Sequence, residues 1–257
     1  MGRWAISRRP EQAQGAAMAE DVRGSVKALV FDVFGTVVDW HGSIIRELSS
    51  FGRERGITVD WQAFTEDWRK GYQPAMQRVR CGELPWCKID ELHRMILDDL
   101  LAKYRIGGLS EAEIDNVNRA WHRLDPWPDA VAGLTRLKRR FIIGTLSNGN
   151  IALLVNMAKR AGLPWDVVLS AELAHRYKPD PQAYLMPPEL LGLAPHQIML
   201  VAAHPNDLAA AAKQGLRTGY VARPLEWGAN GKPHDVAQGT FDVMAGDFNQ
   251  LAERLGA

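Results

Sequence analysis

The chain has 257 residues, 46% of them hydrophobic, enough for one sizeable domain or a domain carrying an insertion. Lys and Arg number 31 against 30 Asp and Glu, a formal net charge of +1, so nothing draws the chain toward nucleic acid or an anionic membrane surface. No run reaches the roughly 18 consecutive apolar residues that a bilayer-spanning helix needs. Cys81 and Cys87 are too few for a disulfide scaffold or a tetrahedral zinc site, so a reducing cytoplasm is the expected location.

Residues 1–24 are expected to be a disordered extension. Arg8-Arg9-Pro10 has the look of a twin-arginine signal, but Glu11-Gln12-Ala13-Gln14-Gly15 follows where an apolar segment is required, and Met18 is a second candidate start. Val26-Lys27-Ala28-Leu29-Val30-Phe31 is a β-branched apolar run of strand length, and Gly35-Thr36 form the turn that ends it. Asp32 therefore stands at the carboxyl end of a buried strand, on the edge where open α/β sheets bind ligands. The alternative is an Asp that merely caps the next turn.

Over residues 43–121 the apolar period becomes helical, as in Ile44, Ile45, Leu48 and Phe51 and again in Leu92, Met95, Ile96 and Leu97. Breakers at 81–85 and 106–108 divide this all-helical insertion. Strand and helix then alternate, with strands expected at 141–146, 167–170, 198–202, 218–221 and 242–244. Helices are expected at 128–137, 181–191, 207–214 and 248–255. Such alternation means parallel βαβ units, hence an α/β fold with a doubly wound, Rossmann-like parallel sheet.

Parallel strands present all their carboxyl ends on one edge, so the polar groups that follow them converge. These are Asp32 and Thr36, then Ser147 and Asn148, then Lys178, then His204 and Asp207. Taken singly, Ser147-Asn148-Gly149-Asn150 is also a helix cap, and Lys178 a solvated loop lysine.

Asp32-x-Phe34-Gly35-Thr36, Leu146-Ser147-Asn148-Gly149, Tyr177-Lys178-Pro179-Asp180 and Asp207, in that order, resemble the four motifs of the haloacid dehalogenase superfamily. The resemblance implies a helical cap domain over 43–124, set into a catalytic core of 25–42 and 125–257. Phosphatases of the superfamily carry a second Asp two residues after the nucleophile and bind Mg²⁺ with further loop acids. Here that position is Phe34, and loop four, Ala202-Ala203-His204-Pro205-Asn206-Asp207, has a single carboxylate. Two Asp alone make a poor Mg²⁺ site, so no metal or cofactor is expected.

The pattern is most similar to that of the L-2-haloacid dehalogenases. That likeness implies attack by Asp32 on Cα of a small 2-haloacid, an ester intermediate, and hydrolysis of the ester by water. It also implies that Arg69 receives the halide together with Asn148, with Trp86 and Phe34 as apolar walls. A permanently charged, weakly hydrated guanidinium suits a departing anion. Thr36 and Ser147 are expected to hold the Asp32 carboxylate or the substrate, Lys178 to keep Asp32 ionised, and Tyr184 to orient neighbouring groups. Where those dehalogenases have Ser-Ser-Asn this chain has Ala202-Ala203-His204, so His204 is expected to position or deprotonate the hydrolytic water with Asp207. Simpler readings stay open: Arg69 as an exposed helix residue paired with Glu66 or Asp67, Tyr184 as a core aromatic, His204 as a residue packed under its loop. A Mg²⁺-dependent phosphatase and a non-catalytic binding member are the alternative functions. Any assembly is expected to be a C2 homodimer, the commonest form.

Overall fold

The computed structural model describes residues 24–232 and 234–257, so the expected N-terminal extension lies outside the described residues except for Gly24. Its strands are β1 (Ala28–Phe31), β2 (Val38–Asp39), β3 (Asp125–Pro126), β4 (Ile142–Ser147), β5 (Val167–Ser170), β6 (Ile198–Ala202), β7 (Arg217–Val221) and β8 (Val243–Ala245). Its helices are α1 (Trp40–Arg55), α2 (Trp61–Arg80), α3 (Ile89–Lys103), α4 (Glu111–Asn118), α5 (Ala130–Lys138), α6 (Ile151–Ala161), α7 (Ala171–Ala174), α8 (Pro181–Leu191), α9 (Pro205–Ala212) and α10 (Phe248–Leu255).

All four side chains of β1 are apolar and buried, which suits the interior of a sheet covered on both faces. Six strands pair in parallel in the order β5-β4-β1-β6-β7-β8. Side chains alternate across the sheet. Leu29 and Phe31 face one layer, where Phe31 meets the rings of Phe248 and Trp165 at 5.5 and 5.4 Å. Ala28 and Val30 face the other, with Tyr184 and Leu208. Phe31 is level with Thr145 on β4 and Val201 on β6, so the loops after all three strands leave at one height. The chain winds outward from β1 through β4 and β5, then returns to β6 and winds the other way. The strand order thus reverses between β1 and β6, the place where such sheets open a ligand crevice.

Between β2 and β3 the described chain is helical, four α-helices and a 3₁₀ turn over Arg119–His122. β2 and β3 form a two-stranded antiparallel ribbon, with Val38 opposite Pro126, that the sequence reading lacks because two residues show no period. Asp39 starts α1 by accepting from the Gly42 amide, so this helix begins at Trp40, ahead of position 43. Asp60 caps α2 through the Ala63 amide, and Ser110 and Glu113 form a capping box on α4.

An aromatic cluster joins this insertion to the sheet. Trp121 is fully buried, stacked on His93 at 4.4 Å and on Trp40 at 6.3 Å, and it meets Trp68 and Phe34 edge-on at 5.6 and 5.9 Å. Replacing Trp121 with Ala removes the shared member of all four contacts. A stability loss of about 3–5 kcal/mol is expected in urea unfolding.

Candidate active site

Asp32 follows β1 directly and is 7% exposed. Its Oδ1 accepts from Lys178 Nζ at 3.0 Å. Its Oδ2 accepts from the Thr36 hydroxyl at 2.7 Å and lies 3.0 Å from His204 Nδ1. These are partners from three different loops, so Asp32 is not a local turn cap. Burial opposes its charge, but the Lys178 ammonium and His204 hold its carboxyl well below the usual carboxylate range.

Lys178 is as deeply placed, 8% exposed, and also donates to Asp207 Oδ2 at 2.5 Å. Burial would lower its pKa, yet Asp207 and Asp32 push it above the ordinary lysine value. Tyr184 serves both of its expected readings, with its ring in the sheet core and its hydroxyl donating to Asp207 Oδ1 at 2.6 Å. Thr36 Oγ1 accepts from the Ala203 amide at 2.9 Å, which turns its proton toward Asp32.

His204 lies between two carboxylates, with Nδ1 toward Asp32 and Nε2 at 3.0 Å from both oxygens of Glu226. Burial disfavours its charge, but hydrogen bonds to both carboxylates outweigh that and push its pKa up to about 10. Two flanking carboxylates thus favour the protonated ring, which disfavours the expected deprotonation of water and leaves the expected positioning of water open to it. An imidazolium has no lone pair to offer. Glu226 itself is 4% exposed, accepts from Trp40 Nε1 at 3.1 Å and is lowered mainly by His204 against its burial. His204, Glu226 and His234 also bring one ligand atom each within 4.8 Å of one another, but a doubly engaged imidazolium is not free to ligate.

Arg69 projects from α2 without joining its acidic neighbours. Glu66 bonds to Gln62 and His41, and Asp67 to Lys103 and Tyr104. The guanidinium lies over the rings of Tyr72 and Trp40 at 4.5 and 5.4 Å, and its Nη1 is buried with no hydrogen-bond partner among the described residues. The reading of Arg69 as an exposed paired residue is thus corrected.

Other expected members have different surroundings. Ser147 is buried and accepts from the Gly149 amide at 3.1 Å, a loop-shaping bond, and does not touch Asp32. Asn148 accepts from the Lys178 amide at 2.8 Å, while its Nδ2 is 3.3 Å from Met76 Sδ on α2. Trp86 packs tilted against Tyr177 at 4.7 Å and stacks on His175 at 5.4 Å, tying the insertion to the Lys178 loop. Phe34 is 3% exposed and packs edge-on against Tyr72, His93 and Trp121.

Tyr72, Met76, His93 and Glu226 escaped the sequence reading. Tyr72 and Met76 lie three and seven residues after Arg69, one helical face, and that spacing was a usable signal. Glu226 follows the carboxyl end of β7 as the other site groups follow their strands. His93 sits inside an apolar helix face with its pKa lowered by burial to about 3, and nothing in the sequence marks it.

Residues 26–215 match the model of the haloacid dehalogenase-like hydrolases. The chain belongs to this family. As a haloacid dehalogenase-like hydrolase it is similar to the solved structure of the defluorinating L-2-haloacid dehalogenase Rha0230, at 44% identity and a TM-score of 0.85, covering 90% of this chain and 96% of that one. The L-2-haloacid dehalogenase PA0810 gives the same identity and TM-score, covering 90% and 99%. The (S)-2-haloacid dehalogenase 4A of Burkholderia cepacia is 29% identical over 202 residues, 77% of this chain and 84% of its own.

Lys178→Met leaves Asp32 and Asp207 buried without their shared cation, a loss of about 3–5 kcal/mol at neutral pH. Because pairing depresses the Asp32 pKa, its stabilising effect is present above the unfolded carboxylate value, about 4, and fades as pH falls through it. The stability gap between wild type and variant is therefore expected to narrow below about pH 4, in denaturant titrations across that range.

Proposed function

We propose that this protein hydrolyses the carbon–halogen bond of small L-2-haloalkanoic acids, giving 2-hydroxyacid and halide through an ester on Asp32. The observation that carries the reading is a buried, ionised Asp32 at the carboxyl end of the central strand, facing helices that supply a cation with an unused donor, Arg69 Nη1. The likeness to two L-2-haloacid dehalogenases at 44% identity supports the substrate class.

An Asp32 oxygen attacks Cα in line with the departing halide, and the carbon–halogen electron pair leaves with the anion onto Arg69. Configuration at Cα inverts. Water then adds to Asp32 Cγ, its proton passing to Asp207 and on to the departing ester oxygen. The second water proton is released to solvent, which regenerates the Asp32 carboxylate. The helices between β2 and β3 act as a cap, with Phe34, Tyr72 and Trp121 forming an apolar wall that keeps water from the displacement step. This chemistry belongs to the cytoplasm, where the free thiols of Cys81 and Cys87 persist. A Mg²⁺-dependent phosphatase is the poorer reading, because its second acid would have to replace Phe34, a ring packed in that wall.

Halide release from L-2-chloropropionate is expected to be unaffected by EDTA, while p-nitrophenyl phosphate with added Mg²⁺ yields no product. In a single turnover in H₂¹⁸O the label is expected in Asp32, read by peptide mass spectrometry. Label in the hydroxyacid with none in the protein would mean direct attack by water and would sink the covalent route. Arg69→Ala is expected to slow the halide burst by about 10²-fold or more, measured in the same quenched reactions.

A further inference from the structure

The two oxygens of Asp32 are held differently. Oδ1 takes one donor, the Lys178 ammonium at 3.0 Å, whereas Oδ2 takes two, Thr36 Oγ1 at 2.7 Å and His204 Nδ1 at 3.0 Å. Neither Oδ2 donor is free to turn away. Thr36 is fixed by the Ala203 amide, and His204 by Glu226, which grips Nε2 with both oxygens.

Glu226 is in turn fixed by Trp40 Nε1 and by a close approach to Gly35. Gly35 has φ +83°, and a Cβ there would stand 2.3 Å from Glu226 Oε1. The first loop thus leaves room for this carboxylate to reach His204.

Resting on the dehalogenase reading, we propose that Oδ2 becomes the carbonyl oxygen of the Asp32 ester and that His204, clamped by Glu226, forms with Thr36 the oxyanion hole for its hydrolysis. Oδ1, with the fewer donors, is then the atom that bonds to Cα. When the water oxygen bonds to Cγ, the carbonyl π pair moves onto Oδ2, between an O–H and an N–H already in place. As the carbonyl re-forms, the Cγ–Oδ1 bond breaks, Oδ1 leaves with the hydroxyacid and takes the proton removed from water, and the second water proton, left on the new Asp32 oxygen, is released to solvent. No group has to reorganise as charge develops, which is what makes such donors effective.

The groups that face His204 set its charge. They are Asp32 from the end of β1, Glu226 from the loop after β7, and the His234 ring 6.0 Å away edge-on. Lys178 acts on it through Asp32, and Arg69 through Glu226. Esterification removes the Asp32 charge, so in the intermediate Glu226 is the carboxylate that keeps the imidazole protonated. Glu226 is accordingly a positioning residue, and His204 and Thr36 touch the reacting atoms.

The test follows single turnovers of L-2-chloropropionate by wild type, Glu226→Gln and His204→Gln, between about pH 6 and 10. Quenched samples give free halide, and intact-protein mass gives the ester. Both variants are expected to slow ester hydrolysis more than halide release, so that the ester accumulates. Its hydrolysis should slow about 10²-fold in His204→Gln and about tenfold in Glu226→Gln. In wild type, ester hydrolysis should fall as pH rises through the imidazolium pKa, and in Glu226→Gln that fall should move to lower pH. Ester hydrolysis that instead climbs with pH, or that is unchanged in Glu226→Gln, overturns the oxyanion assignment. If Glu226→Gln fails to fold, His204→Gln decides by the same readout. Absence of both halide release and ester in wild type and in both variants brings down the dehalogenase reading itself, a result distinct from normal turnover with unaltered variants.

Discussion

A carboxylate that has to stay ionised inside the protein is the constraint around which this molecule is arranged. Desolvating Asp32 costs several kcal/mol, and only close, well-aligned partners offset that. Lys178 and His204 supply them from opposite sides, and each is anchored by a further acid, Asp207 and Glu226. The acids Asp32, Asp207 and Glu226 are thus matched in number by Lys178, His204 and Arg69. These partners come from loops after separate strands, so the site exists only when the parallel sheet has brought its carboxyl ends to one height.

The helical insertion adds what the sheet edge lacks. Its aromatic residues close over Phe34 and form a low-dielectric wall in which a departing anion gains more from a fixed cation than it would in water. Arg69 is suited to that setting. Tyr72 and Trp40 hold its planar face by cation–π contact, which leaves the edge donors available. A buried guanidinium nitrogen with no partner is costly in a resting protein, and a bound anion removes that cost.

Loop four reaches the site through a backbone amide and an imidazole. Ala202 and Ala203 carry no side-chain donors, yet the Ala203 amide orients Thr36 and the next residue, His204, reaches Oδ2. On the edge of the imidazole that faces away from Asp32 stands a second acid. Glu226, with Gly35 and Trp40 shaped around it, supplies that acid. His204 is therefore tied to residues in two other segments.

The alternation of strands and helices after residue 125, the central β1 and the order of the four motifs were legible in the chain because period and turn chemistry are local. So was the convergence of Asp32, Thr36, Lys178 and Asp207, since parallel strands must share an edge. The β2 and β3 ribbon was not legible, because two-residue strands carry no period. Nor was the charge on His204 or the part played by Glu226. Both depend on which side chains meet across 22 residues of chain and on the burial of the pair. The ring contacts of Arg69 likewise depend on the fold, since its neighbours in sequence left a solvated ion pair open beside the halide role that the resemblance implied. Local order selects the element, but burial and long-range pairing set the protonation and orientation of a side chain, and only the folded chain specifies these.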